Sequence, residues 1–502
     1  MDYTAPTAPL PRPPRRPFRW LKRLVTTAAV TVAVLAVVVS AARYVLLLKA
    51  RARTAEVVAL LDRDDPGWRL EQIEAARKVI PDERNSAIPL RAASRLIPKD
   101  WPRIRPTMPP KSDLPKGPDL PRSTEALIET SSVFSPDEAQ VAALRTELTA
   151  LGPALAEARK VVDMPEGRYA IAWTVDPFAT LLPDQQAARN TARLLKLDAI
   201  LRAHEGDIDG SLESCRAILN VARSIGDEPF AIIQIVRIAI GRVALRAIEH
   251  VLSVGEPSEQ ALAKVQTLLE SEEAESLLRS ALRGERSILD AFYARLASGE
   301  LTKMGGEGWP PAVQWLWGEF MVTHARGVVL EEMNSLIPIA DAPLSSQREL
   351  YLDWEKGFAI RAKASSLDKF SRLLMPAIYP LLEFHVVSHA RLRAAIITVA
   401  AERYRRKNGR WPESGEQLTP WPLAYVPDDA HTDNALIWDR SGETLTIYST
   451  GPDLVDNGGL LEDDPDPPAL TPKKSRQGSA YWDQRDVGFR LHDVDRRKQD
   501  KS

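Results

Sequence analysis

The longest apolar stretch of the chain lies near its beginning, where the residues from Leu24 to Ala42 include no charged side chain. A helix of this length extends about 28 Å, close to the hydrocarbon thickness of a bilayer. Strands in globular proteins are far shorter, so the many β-branched residues do not make this stretch a strand. The pattern predicts a single transmembrane helix, with residues 24–48 in contact with the lipid bilayer.

The flanking charges predict how this helix is oriented. Residues 1–23 form a proline-rich, basic tail with no acid after Asp2. Such a tail stays in the cytoplasm under the positive-inside rule, which places the bulk of a cell-membrane protein outside the cytoplasm. Four basic residues also follow the apolar run and weaken the charge bias: Arg43, Lys49, Arg51 and Arg53. Val39-Ser40-Ala41 fits a signal-peptide cleavage site, so a removed signal peptide is the alternative, although the long run favours retention.

Helical patterns dominate the next part of the chain. Residues 49–97 contain short amphipathic patterns, and the proline-rich residues 98–122 predict an extended linker, because proline interrupts helices and central strands. The segment Ser135-Pro136-Asp137-Glu138 has the pattern of a capping box and predicts the start of a helix with Ser135 as its N-cap. Its apolar face continues to Leu151.

Residues 123–379 have the pattern of a helical bundle. From about residue 184 to 300, apolar positions recur at helical spacing, with Gly206-Asp207 and Gly226-Asp227 between successive helices. Residues 228–254 are apolar on almost every side, which predicts the central helix of the bundle. The rhythm is similar to a tetratricopeptide-type array, but its consensus positions do not recur at a fixed period. The prediction is therefore a helical-repeat-like bundle.

The last part of the chain changes to an alternating pattern. A helix from about Pro380 ends at Lys407-Asn408-Gly409, a basic last turn followed by a glycine. Two alternating segments, 435–439 and 444–449, predict a β-hairpin, and residues 380–460 are predicted to form a small α+β module. Residues 461–502 are rich in charge and proline and predict a largely disordered tail, with one edge strand at 487–491.

Two motifs in residues 390–460 carry a resemblance to a known family. They are Tyr404…Asn408-Gly409-Arg410-Trp411-Pro412 and Tyr448-Ser449-Thr450-Gly451-Pro452-Asp453…Gly458-Gly459. This arrangement resembles the globular end of the major pseudopilin of type II secretion systems, in which the acidic, glycine-rich loop binds calcium. The chain departs from that family because it lacks the methylated segment at the head of the same helix, so at most the module is reused. The whole layout also looks like a family of uncharacterised bacterial membrane-anchored proteins, which implies no activity.

The acidic loop is a candidate calcium site. Asp453, Asp456 and Asn457 place hard oxygen ligands in a glycine-flanked turn, and such ligands suit calcium better than zinc. Their spacing is not that of an EF-hand. An acidic surface turn without a bound ion is the alternative.

Composition and the remaining motifs restrict the chemistry. Lys and Arg total 66 against 68 Asp and Glu, so no basic excess supports nucleic-acid binding. The single Cys215 forms no intramolecular disulfide and lies on an apolar helix face, which predicts a buried side chain. His385 and His389 share a helix face, but Val386 stands where a zinc protease needs glutamate, so an ordinary pair is favoured over a metal site.

The remaining candidate is an aromatic cluster formed by Trp315, Trp317 and Phe320, which follows a glycine-rich loop without a phosphate-binding pattern. Core packing is favoured for this cluster over contact with the bilayer. The function predicted from the sequence is a membrane-anchored extracytoplasmic scaffold or interaction protein of the cell envelope. It would have no catalytic activity and no required cofactor, and other envelope proteins would be its partners. The alternatives are an unrecognised envelope hydrolase and an accessory component of a secretion-type assembly.

Overall fold

The computed structural model describes residues 19–101, 136–301, 318–364, 378–441, 444–461 and 485–494, together with residues 368, 375, 464 and 497. Over these residues the chain is mainly α-helical, with a small antiparallel sheet near its C-terminus, which confirms the predicted fold class. Most of the predicted linker and of the charged tail, together with Ser135, Trp315 and Trp317, lies outside the described residues.

The helices are, in chain order, α1 Arg19–Asp64, α2 Leu70–Ala76, α3 Ala87–Leu96, α4 Glu138–Ala150, α5 Gly152–Arg159, α6 Pro183–Glu205, α7 Ile208–Arg223, α8 Ala231–Val254, α9 Glu259–Glu273, α10 Leu277–Ser298, α11 Glu319–Ala340, α12 Leu344–Ala364 and α13 Ile378–Asn408. The strands are β1 Ile437–Ser441, β2 Thr444–Ser449 and β3 Val487–His492.

Helix α1 is one unbroken helix of 46 residues, about 69 Å long. Its apolar run is exposed, and α1 is long and apolar enough to cross a membrane. The sequence predicted that this helix ends at residue 48 and that separate short helices follow from residue 49. In the structure the helix instead continues to Asp64. Its second half packs on α11: Leu47 and Ala50 contact Phe320. The second half of α1 is therefore part of the body.

The start of α4 differs from the predicted capping box. The N-cap is Asp137, whose carboxylate accepts a hydrogen bond from Gln140 N at 2.8 Å. Gln140 Oε1 in turn accepts one from Asp137 N at 2.9 Å. The box is thus Asp-x-x-Gln, two positions later than predicted, because aspartate caps as well as serine and Gln140 lies at the required third position.

The glycine–aspartate pairs separate the bundle helices as predicted. Gly206 ends α6 with a φ of 85°, in the left-handed region, and the Asp207 side chain caps α7 by accepting from Gly210 N at 3.0 Å. Helix α8 packs against α6, α7, α10, α13 and β3, which confirms that it is the central helix. Cys215 is fully buried, as predicted.

The sheet has the strand order β1-β2-β3 and is antiparallel throughout. The hairpin and the edge strand predicted at 487–491 are both confirmed, with Leu445 opposite Leu491. The inner face of the sheet joins the main hydrophobic core together with residues of α8 and α13. A second core lies between α10, α11 and α12, and α13 begins in that core and ends in the main one.

Candidate functional site

The basic residues that follow the apolar run lie against α11. Arg43 and Arg51 pair with Glu319 at 3.4 and 2.5 Å, and Arg53 pairs with Glu331 at 2.6 Å. These side chains are partly exposed, so each pair contributes about 1 kcal/mol or less. Together they fix the register in which α1 packs on α11, at the point where the apolar run meets the body.

The same interface contains a close approach between the two helices. A Cβ atom at Gly327 would lie 2.8 Å from Thr54 Oγ1, closer than a carbon and an oxygen can pack. Thr54 Oγ1 also donates a hydrogen bond to the carbonyl of Thr323 at 2.9 Å. The absence of a side chain at residue 327 therefore allows α1 to pack closely on α11.

Beyond this contact, the end of α1 is held by a partly buried ion-pair cluster. Arg283 and Arg286 of α10 both bond to Asp65, the residue that follows α1. Burial opposes ionisation, but these two arginines still hold the pKa of Asp65 below its usual value. Trp68 is fully buried and its indole donates to Asp62 Oδ1 at 2.9 Å. These contacts hold the C-terminal end of α1 in place against α10.

The predicted calcium residues lie in one loop between β2 and Gly459. Asp456 Oδ1 accepts hydrogen bonds from Tyr448 Oη at 3.0 Å and Gly458 N at 2.8 Å. Asp453 Oδ1 accepts from Val455 N at 3.0 Å, and Asn457 Nδ2 donates to the Val455 carbonyl at 2.9 Å. Tyr448 and backbone donors of the loop therefore already bind Asp453 Oδ1 and Asp456 Oδ1.

A residue that the sequence analysis missed closes this loop. Asp486, buried just before β3, accepts hydrogen bonds from Asn457 N at 3.2 Å and Gly459 N at 2.8 Å. Burial raises the pKa of Asp486 to about 6, and the nearby Asp456 and Asp453 add to this effect. Among the described residues, no group of three or more His, Cys, Asp or Glu side chains is arranged to hold a metal ion. Calcium binding remains a prediction.

The other motif of the C-terminal module lies around a buried ion pair. Trp411 is buried, and its indole donates to Glu402 Oε2 at 3.3 Å. Arg497 Nη1 donates to Glu402 Oε1 at 2.7 Å, although residue 497 belongs to the charged tail. Burial opposes ionisation, yet Arg405 and Arg497 lower the pKa of Glu402 to about 2.

The two histidines of α13 come together as a buried pair. Their rings pack edge to face with centroids 4.5 Å apart, and burial lowers the pKa of His385 well below its usual value. His389 Nδ1 lies 3.6 Å from Glu273 Oε1. His385 and His389 line a cavity of about 30 Å³ that also contacts Arg237, enough for about one water molecule. No described third side chain completes a metal site with them.

A cleft of about 310 Å³ lies between the segment around Lys78, the end of α7 and the first turn of α10. Each base that lines it has an acidic partner: Arg223 and Arg237 both bond to Glu272, at 2.8 and 2.7 Å, and Lys78 pairs with Glu166. Its described lining contains neither histidine nor cysteine. The cleft is polar, but its charges stabilise the fold and show no arrangement of nucleophile and base.

A buried carboxyl group lies next to this cleft. Glu228 is fully buried, and Gln185 Nε2 donates to its Oε2 at 2.7 Å. Its Oε1 has no hydrogen-bond partner among the described residues. Burial raises the pKa of Glu228 to about 7, against the opposing effect of Arg77.

No family model, no curated protein and no solved structure matches this chain.

Proposed function

We propose that this protein is a membrane-anchored scaffold of the cell envelope that holds a helical body against the outer face of the cell membrane. The unbroken passage of α1 from an exposed apolar run into the packed body supports this proposal. An unbroken helix keeps a fixed distance between the membrane span and the residues of the body that pack on it. The body would therefore stay at a constant height above the bilayer and present its surface to other envelope proteins.

The orientation that we propose places the N-terminus in the cytoplasm. The positive-inside rule counts lysine and arginine residues near the ends of the span. Residues 1–23 contain six of them, whereas residues 43–53 contain four. The charge bias of the positive-inside rule thus favours a cytoplasmic tail.

Protease treatment of intact spheroplasts tests the anchoring and the orientation. With a tag at each terminus, protease should remove the body and leave a protected N-terminal fragment of about fifty residues, the length of tail plus span. Permeabilised spheroplasts are the control and should lose both tags. A body that is protected in intact spheroplasts, or a mature chain that begins near Ala42, would contradict the proposal.

The scaffold role needs its own test. Photo-reactive residues are placed on the body, and residues 24–42 are exchanged for the span of an unrelated protein. The same partners should be crosslinked before and after the exchange, because the body makes the contacts. A chain that lacks the span should lose these adducts. If the exchanged span abolishes them while the body stays folded and exported, the anchor and not the body selects the partners.

The accessory component of a secretion-type assembly is the second candidate, supported by the pseudopilin-like residues 390–460. In this chain that module shares a core with α8. Strand β3, which pairs with β2 of the module, is also bonded to α8, because Arg490 N donates to Glu249 Oε1 at 2.8 Å. The module is therefore built into the body. Crosslinks from β1 to pseudopilins would support this candidate, and crosslinks confined to other envelope proteins would contradict it.

A further inference from the structure

The segment between α5 and α6 presents an exposed apolar surface. Val175, Phe178 and Leu181 are 55, 49 and 84% exposed, within a few residues of one another. Single exposed apolar residues are ordinary on protein surfaces, but a cluster of large ones marks a contact site. We call the segment from Thr174 to Leu182, which carries these three residues, the apolar loop.

The apolar loop is held in a defined shape. Arg295 Nη1, from α10, donates to the carbonyls of Thr174 and Val175 at 3.1 and 2.8 Å. Phe178 packs edge to face on Phe292, with ring centroids 5.1 Å apart. The only acid of the loop, Asp176, accepts a hydrogen bond from Phe178 N at 3.0 Å. The exposed side chains are thus presented by an ordered platform.

Contacts between the helices give the height of this platform above the membrane. Helix α10 runs antiparallel to α11, since Asp290 pairs with Arg326 whereas Arg279, near the start of α10, pairs with Asp341. Arg295, about one and a half turns beyond Asp290, therefore lies at the level of the first turns of α11. Those turns contact α1 at residues 47–54.

The corresponding distance along α1 is short. Leu48 is the last exposed apolar residue of the run, and the level of residues 47–54 extends from Leu48 to about 9 Å beyond it. The headgroup region of each leaflet is about 5–8 Å thick. The loop reaches α1 through α10 and α11, so it lies about two helix spacings, roughly 20 Å, to one side of the anchor.

From these positions we propose that the apolar loop inserts into the headgroup region of the leaflet from which α1 emerges. The occupant is a lipid surface, and this proposal rests on the proposed anchoring by α1. Large apolar side chains insert to this depth in interfacial segments. Lys49, which is exposed at the same level and has no described ion-pair partner, matches anionic headgroups. Two attachment points about 20 Å apart fix the tilt of the body, which one helix alone leaves free.

The test uses the full chain in anionic proteoliposomes. Cys215, the single cysteine and fully buried, is changed to Ala, and one environment-sensitive fluorophore is attached to a new cysteine. The three positions are Val175→Cys in the loop, Leu35→Cys in the span and Val79→Cys as the matched control. Val79 is an exposed valine beside the cleft at the opposite end of α10.

Spin-labelled lipids with the quencher at the headgroup or deep in the acyl chain then report depth. We expect the headgroup quencher to reduce fluorescence at residue 175 several-fold more than at residue 79, and the deep quencher to act on residue 35. Quenching at residue 35 with residue 175 behaving like residue 79 would overturn the loop proposal and leave the anchoring intact. No quenching at residue 35 would overturn the anchoring itself. A label at residue 175 that is shielded from aqueous iodide without lipid quenching would indicate a protein partner and would also overturn the proposal.

Discussion

Glu228 is a carboxyl group that folding removes from water. Its pKa is raised from the usual 4.5 to about 7, so the folded state holds a proton that the unfolded state releases. The free energy of unfolding therefore decreases as the pH rises from about 4.5 to 7, by an amount on the order of 3 kcal/mol. Glu228→Gln should remove this part of the pH dependence and stabilise the protein at pH values above the raised pKa. The exposed Glu213→Gln is the control. Denaturant unfolding on both sides of the pKa measures the difference, and equal pH profiles for Glu228→Gln and the parent would contradict it.

Arg497 has the opposite electrostatic role, because it stabilises a buried carboxylate. Arg497→Ala leaves Glu402 in the core with Arg405 as its remaining cationic partner, and we expect a loss of about 3 kcal/mol. Arg410→Ala removes an exposed ion pair with Glu413 and should cost about 1 kcal/mol or less. The folded pKa of Glu402 is below its usual value, so its contribution is present above pH 4.5 and is lost as the pH falls towards 2. Equal unfolding midpoints for the two variants would show that residue 497 is not anchored in the core.

At the scale of elements, the packing of α1 on α11 depends on the missing side chain at Gly327, and Gly241 in α8 is the matched control. Gly327→Ala places a methyl group against Thr54 Oγ1, so either that hydroxyl loses its hydrogen bond or the helices shift apart, at a cost of about 1–3 kcal/mol. Gly241→Ala in α8 meets nothing within 4 Å and should instead stabilise its helix by about 0.5–1 kcal/mol. Hydrogen exchange over residues 47–64 should rise only for the first variant. Unchanged exchange in Gly327→Ala would mean that the interface tolerates separation.

Local signals predicted many elements of this fold. The uncharged run, the glycine–aspartate pairs around Gly206 and the alternation in β1 and β2 depend on neighbouring residues, and each gave the expected element. The pairing of α1 with α11 was not predictable, because it joins distant parts of the chain. The main feature of the sequence that marks this contact is the glycine at residue 327. The same reason applies to the loop site. Asp453, Asp456 and Asn457 are close together in the sequence. Asp486 lies in a tail with many acidic residues, and no local pattern distinguishes it from the others.

At the scale of the whole molecule, the acidic loop is coupled to the body. It closes on Asp486, which leads into β3, and β3 packs on α8 and α13. If calcium binds the loop, it should therefore stabilise the entire chain, by about 2.7 kcal/mol at a hundredfold excess over Kd. The full chain in detergent is the sample, since the isolated module would lose part of its core. The melting temperature should rise with calcium relative to chelator, and Asp453→Ala with Asp456→Ala should abolish the rise. Identical melting with calcium and chelator would leave an acidic turn.

Because α1 is unbroken, the number of residues between the span and the body sets the direction in which the body faces. Each helical residue turns the chain by about 100° and advances it by about 1.5 Å. Inserting one residue between Ala42 and Arg43 would turn the body through more than a quarter of a circle and raise it by only about one bond length. Every contact within the body would survive, yet each neighbouring membrane protein would meet a different face of the body. Inserting seven residues, close to two full turns, would return the body almost to its original orientation, about 10 Å farther from the bilayer.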